Sequence, residues 1–168
     1  IVLQKALLIP TKTRKLEIDP MKMDIVIGVP TGRADFFGNV ITKNIKKEFA
    51  SAKKIVSPKE LPFNGKPDNF TGAVGTFNFD VSLSKDVLKA NESSQIKVAI
   101  SGKGNLKLFE LPSVQTPKEL EKYQPERKEN VKVQTDELVG SVTDIYTVVP
   151  QYKGKYKIPS TSFSYFDP

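Results

Sequence analysis

Two clusters in this chain have the residue types that chemistry needs. Four carboxylates, Glu119, Glu121, Glu126 and Glu129, fall among Lys118, Lys122, Arg127 and Lys128, the raw material of an acid/base site. Glycosidase carboxylates must face one another across a cleft, and this spacing supplies no such pair. The cluster reads as a solvated mixed-charge surface. Two glycine-rich runs, Gly72-Ala73-Val74-Gly75 and Gly102-Lys103-Gly104, have the look of phosphate-cradling loops. A P-loop needs G-x-x-x-x-G-K-[S/T] between a strand and a helix, and no helical pattern follows either run. Both read as turn or close-packing glycines.

The sequence has no cysteine and no histidine. Thiolate zinc sites, cysteine nucleophiles and disulfides are excluded within it. So are a Ser-His-Asp triad and any His-based metal centre, because histidine is the usual base near neutral pH. No acidic loop of calcium-binding type is visible. The expectation is a non-enzymatic chain with no metal and no cofactor. Asn69-Phe70-Thr71 and Asn91-Glu92-Ser93 match the glycosylation pattern by chance.

The net charge of +7 is uneven. Residues 1–63 hold 12 Lys/Arg against 6 Asp/Glu, while the rest hold 14 against 13. Lys43, Lys46, Lys47, Lys53, Lys54 and Lys59 carry much of the excess. One reading is an anionic partner: nucleic acid, lipid headgroups or an acidic protein. The other is a solvated loop and an edge strand guarded by lysines. Aromatic residues are not interleaved as base stacking requires, which favours the second and argues against nucleic acid. No run of about 18 apolar residues is present, so any membrane anchor or leader of the native protein lies outside this stretch.

The elements that position these residues are strands. Phe77, Phe79, Val81 and Leu83 alternate with Asn78, Asp80, Ser82 and Ser84, the period-two pattern of a half-buried strand. After a polar turn at 89–92, Ile96, Val98 and Ile100 alternate again. Gly102 and Gly104 bracket a tight connection, Pro117 opens a helical turn over 117–123, and Val131 and Val133 mark a short strand. Val139-Gly140 falls in the next turn. The strand at 142–149 is apolar on both faces, which suits a central position.

One block occurs twice. Leu8-Ile9-Pro10 and Lys15-Leu16-Glu17-Ile18 are matched at an offset of 140 by Val148-Val149-Pro150 and Lys155-Tyr156-Lys157-Ile158. A period that long indicates tandem domains rather than solenoid units of roughly 20 to 50 residues. Gly154-Lys155-Tyr156-Lys157-Ile158 also fits the immunoglobulin-type pattern G-x-Y-x-C with isoleucine at the cysteine position. Tyr156 is then the tyrosine-corner residue, Ile158 replaces half of an inter-sheet disulfide, and Val98 faces it.

The expected architecture is an all-β, immunoglobulin-like β-sandwich in tandem repeat. Residues 1–63 form the last part of one domain, with strands E (2–9), F (15–29) and G (53–61) and a lysine-rich insertion. Residues 64–168 form strands A to F of the next, with 155–166 as F. A sandwich lacking strand G has a bare edge. Residues 52–61, or those of a neighbouring copy in strand-swapped self-association, are expected to dock there.

Across 57–168 the sequence resembles the BatD (aerotolerance, or oxygen tolerance) family of bacterial envelope proteins. The resemblance rests on Leu61-Pro62, Gly65-Lys66-Pro67, Phe70-Thr71-Gly72-Ala73-Val74-Gly75 and Lys89-Ala90-Asn91-Glu92. It continues through 100–106, then Pro150, Gly154, Tyr156, Ile158-Pro159 and 163–168. It implies an exported, membrane-anchored protein of the periplasm or cell envelope with immunoglobulin-like repeats. Its family is encoded beside von Willebrand A-domain membrane proteins, which are the implied partners, and a MoxR-type ATPase.

The functional expectation is an extracytoplasmic protein–protein interaction scaffold binding through loops and sheet edges. Gly102, Lys103, Gly104 and Asn105 are the candidate contact loop, since loops on rigid sandwiches commonly carry binding. The alternative is a glycan or peptidoglycan module, for which Tyr123, Tyr152 and Phe70 are the available aromatics.

Overall fold

The computed structural model describes residues 5–89 and 92–168, which form two compact units, Pro10–Glu60 and Leu61–Pro168, with residues 5–9 belonging to the second. Among the described residues all regular elements are strands, as the alternation predicts, and the second unit is sandwich-like.

In the first unit, β1 (Leu16–Ile18) is followed by β2 (Lys22–Ala34), β3 (Val40–Ala50) and β4 (Lys54–Val56). β1 pairs antiparallel with β4, and β2 pairs with β3 as a long hairpin. The single strand expected over 15–29 is broken at Pro20, which has no N–H to donate to a ladder. Met21 and Ser51 bridge the break through Met21 N–H to Ser51 Oγ and Ser51 N–H to the Met21 carbonyl, both 2.9 Å. The lysine-rich stretch is mostly strand: Lys43, Lys46 and Lys47 lie on β3 and Lys54 on β4, while Lys53 and Lys59 lie in the connections. Of the strand expected over 53–61, residues 54–56 form β4 and pair with β1. Of the strand expected over 2–9, residues 2–4 lie outside the described residues, and 5–9 form no ladder.

The second unit is built on β5 (Gly75–Leu83), β6 (Ser94–Gly104), β7 (Leu120–Lys122), β8 (Glu126–Gln134) and β9 (Glu137–Pro150). The sheet runs β5-β6-β9, and β7 and β8 share the far side of β9. The long apolar strand is therefore central, and its inner residues are Val142, Asp144, Tyr146 and Val148, all buried. They meet Ile96, Val98 and Ile100 of β6, of which Val98 and Ile100 are fully buried. Burying each such side chain contributes roughly 1.5–3 kcal/mol.

Three local expectations fail here. Gly102 and Gly104 lie within β6, and the tight turn follows them, closed by Leu108 N–H to the Asn105 carbonyl at 2.8 Å. Val139-Gly140 belongs to β9; the turn is Thr135-Asp136, with Thr135 at φ +57°. After one turn at Pro117, the chain enters β7 instead of a helix, because Leu120 is drawn into the core against β9. The polar turn at 89–92 falls partly on Ala90 and Asn91, which lie outside the described residues.

The opposite layer carries no ladder. It consists of the irregular run that buries Leu106, Phe109, Leu111 and Val114, and of the C-terminal segment that packs Ile158 and Phe163 on the core. Phe163 lies within 5.6–6.1 Å of Phe77, Phe79, Phe109 and Tyr165, ring centre to ring centre. The expected strand F over 155–166 makes one contact of sheet type, a parallel bridge between Val74 and Phe166. The two copies of the doubled block thus differ in pairing: 16–18 sits in a ladder, whereas 155–158 lies outside any strand.

Candidate partner-binding surface

Gly75, Gly102, Gly104 and Gly140 gather at one end of the five-stranded sheet. Gly75 pairs with Gly104, and Gly102 with Gly140. Each has φ between +138° and +150°, backbone that L side chains rarely adopt. A Cβ on Gly102 would stand 2.2 Å from the Thr76 carbonyl oxygen, and one on Gly140 1.9 Å from that of Asn130. The candidate contact residues Gly102, Lys103 and Gly104 are thus strand residues whose glycines allow close backbone approach. Lys103 faces Glu137 across the sheet at 3.8 Å.

Asn105 is a bracket. Its Oδ1 accepts from Val74 N–H at 2.7 Å, its Nδ2 donates to the Gly72 carbonyl at 2.8 Å, and its N–H donates to the Val74 carbonyl at 3.0 Å. The two glycine-rich runs of the sequence are therefore bound to each other.

The same end opens onto the outer side of β5. Asn105 N–H bonds Val74 O and Ser84 N–H bonds Gln95 O, so the even-numbered residues of β5 face β6. The odd-numbered ones, Gly75, Phe77, Phe79, Val81 and Leu83, turn their N–H and C=O groups outward. Gly75 N–H is met by the Phe166 carbonyl, and Phe166 N–H by the Ala73 carbonyl, both at 2.9 Å. Thr76 Oγ1 adds a bond to Asp167 at 3.0 Å. Among the described residues, no backbone group meets the outer side of β5 beyond Gly75. Its core-facing row also runs out of cover, with Val81 42% and Leu83 43% exposed. Beside the bridge lies a small groove of about 100 Å³, lined by Leu61, Pro62, Lys66, Phe70, Tyr165 and Phe166.

Tyr156 and Ile158 are half-buried between the exposed Lys155 and Lys157. The Tyr156 hydroxyl donates to the Tyr152 carbonyl four residues upstream at 2.5 Å, the local bond of a tyrosine corner. Gly154 lies against the Tyr156 ring. Val98 and Ile158 belong to the same core.

Glu119, Glu121, Glu126 and Glu129 are exposed. Glu126 pairs with Lys128 at 3.2 Å, and hydrogen bonding from Tyr123 to Glu121 raises the Tyr123 hydroxyl above its ordinary pKa. The strongest polar contact went unnoticed in the sequence. Arg127 Nε and Nη2 donate to Asp144 at 2.8 and 2.9 Å, holding a carboxylate on the core face. These hydrogen bonds to Asp144 push the Arg127 pKa up, against a smaller opposing effect of burial. The signal was available: Asp144 occupies an inward position of an otherwise apolar strand, where a charge needs a partner. The aromatics named for a glycan site are scattered. Phe70 lies under Lys66 in the groove, Tyr123 follows β7, and Tyr152 is in the loop after β9.

A family model described as the BatD DUF11-like domain matches residues 81–167, just over half of the chain. No curated protein and no solved structure matches it.

Proposed function

The chain belongs to the BatD family, and from that premise we propose that it is an extracytoplasmic interaction module of a Bat-system envelope protein that takes up an extended strand of a partner along β5. The observation that carries this reading is the outer side of β5, unpaired among the described residues, beside two exposed apolar residues, Val81 and Leu83. Such an edge binds by β-augmentation: main-chain hydrogen bonds supply affinity, and alternate side chains supply specificity. An added strand would satisfy the outward groups of Phe77, Phe79, Val81 and Leu83 and cover the apolar row. Phe166 already pairs with Val74 at the end of this edge, next to the open stretch. Partners in this reading are the von Willebrand A-domain membrane proteins implied by the resemblance.

The test is a pull-down from solubilised membranes with the intact ectodomain, comparing the native sequence with Val81→Pro. Proline at 81 removes an outward donor and leaves the β6 ladder, because that N–H faces away from β6. Recovery of A-domain proteins by the native protein and not by the variant supports the reading. Equal recovery by both, or retention that depends on sugar instead, contradicts it. A native ectodomain that self-associates and loses this with Val81→Pro would assign the edge to a second copy.

A further inference from the structure

The β2–β3 hairpin ends in two bare aromatic rings. Phe36 and Phe37 are 98% and 86% exposed and meet edge to face, centroids 5.6 Å apart. The turn beneath them is firmly built. Asp35 Oδ1 accepts from the N–H groups of Phe37 (2.9 Å) and Asn39 (2.8 Å), and Oδ2 accepts from Asn39 Nδ2 at 3.0 Å. Asp35 N–H to the Asn39 carbonyl and Gly38 N–H to the Asp35 carbonyl close it further, at 2.9 and 3.0 Å. The rings thus stand exposed on a hydrogen-bonded turn.

Just behind the tip, Val40 and Ile41 are also exposed, 62% and 44%. Behind them the charge is positive. Asp24 is engaged by Lys46 at 2.7 Å and Glu48 by Lys22 at 3.7 Å, and the Asp35 carboxylate is occupied by its own turn. Among the described residues, Arg33 and Lys43 have no ion-pair partner. They stand two and four residues behind Asp35 and Asn39, about 7 and 13 Å along the strands.

We propose that this tip docks on an anionic lipid surface, with Phe36 and Phe37 entering the boundary between headgroups and acyl chains and Arg33 and Lys43 reaching lipid phosphates. The spacing fits: an apolar end penetrating roughly 5–10 Å leaves the basic side chains at headgroup level. A bilayer also suits the shape. The rings sit at the end of a protrusion exposed all round, and lipid receives such an end without a matching pocket. Charge complementarity then supplies the preference for anionic over neutral lipid.

The test is co-sedimentation of the full chain with vesicles of phosphatidylglycerol and phosphatidylcholine, against vesicles of phosphatidylcholine alone. The chain is expected to bind the anionic vesicles preferentially, with binding weakened by salt. Phe36→Ser with Phe37→Ser should lower the partition roughly tenfold or more, and Arg33→Gln with Lys43→Gln should abolish the preference for anionic lipid. Both pairs of sites are exposed, and circular dichroism checks that each variant keeps its strands. Absence of vesicle binding, or binding unchanged in the double-serine variant, overturns the proposal and assigns the tip to a protein pocket.

Discussion

Arg127 faces Asp144 because the strand carrying it slips by one residue at Gln124-Pro125. Lys122 pairs with Val148, yet Glu126 pairs with Ile145, so four steps on one side span three on β9. The extra residue is a bulge, placed where proline cannot donate to the ladder. A slip of one exchanges the faces of everything after it. Unslipped, Glu126 would stand opposite Asp144 and place two carboxylates together; the bulge sets a guanidinium there instead. Arg127→Ala should cost about 3 kcal/mol in urea unfolding, since it strands a buried carboxylate. The double variant Asp144→Leu with Arg127→Met should unfold close to the native midpoint, because it removes both charges and keeps the volume.

The glycines at the sheet end should separate into two classes. Gly140→Ala drives a Cβ into the Asn130 carbonyl and should cost roughly 3 kcal/mol or more. Gly65→Ala, at φ +80° with open space around it, should cost only about 1 kcal/mol. Thermal unfolding of the two variants tests the difference.

The tip turn should loosen in acid. The side chain and then the backbone N–H of Asn39 are the main causes holding the Asp35 carboxyl below its ordinary 3.8. A depressed carboxylate stabilises above its unfolded pKa, and that contribution disappears as pH falls through the folded value. The Phe37 and Asn39 amide resonances should therefore shift together with a midpoint below 3.8. Asp35→Asn should remove that midpoint.

Tyr156→Phe should lower stability by about 1 kcal/mol, the worth of one hydrogen bond, without altering the core. A variant as stable as the native protein would mean that the corner bond adds nothing.

β5, β6 and β9 were legible because each buries residues of one face. Period-two alternation located β5 and β6, and the two-sided apolar run of β9 marked it as central. The glycine positions were misread because a glycine inside a strand and one in a turn look alike without the neighbour that approaches it, as Thr76 approaches Gly102. The missing ladder over 155–166 was hidden for a related reason: Tyr156 and Ile158, and then Phe163 and Tyr165, alternate as strand residues do, but pairing depends on a neighbour that alternation does not reveal. Tyr156 was legible through its spacing to Gly154 and Ile158. Arg127 and Asp144 were not, since their meeting depends on the bulge.

Hydrogen exchange along β5, with and without a bound von Willebrand A-domain protein, tests the central claim most directly. The amides of Phe77, Phe79 and Val81 point away from β6 and should exchange fast in the free chain. Strand addition should slow all three by about a hundredfold or more, while those of Asn78 and Asp80, already bonded to β6, change far less. A complex that forms while the Phe77, Phe79 and Val81 amides keep exchanging at the free rate would contradict the account.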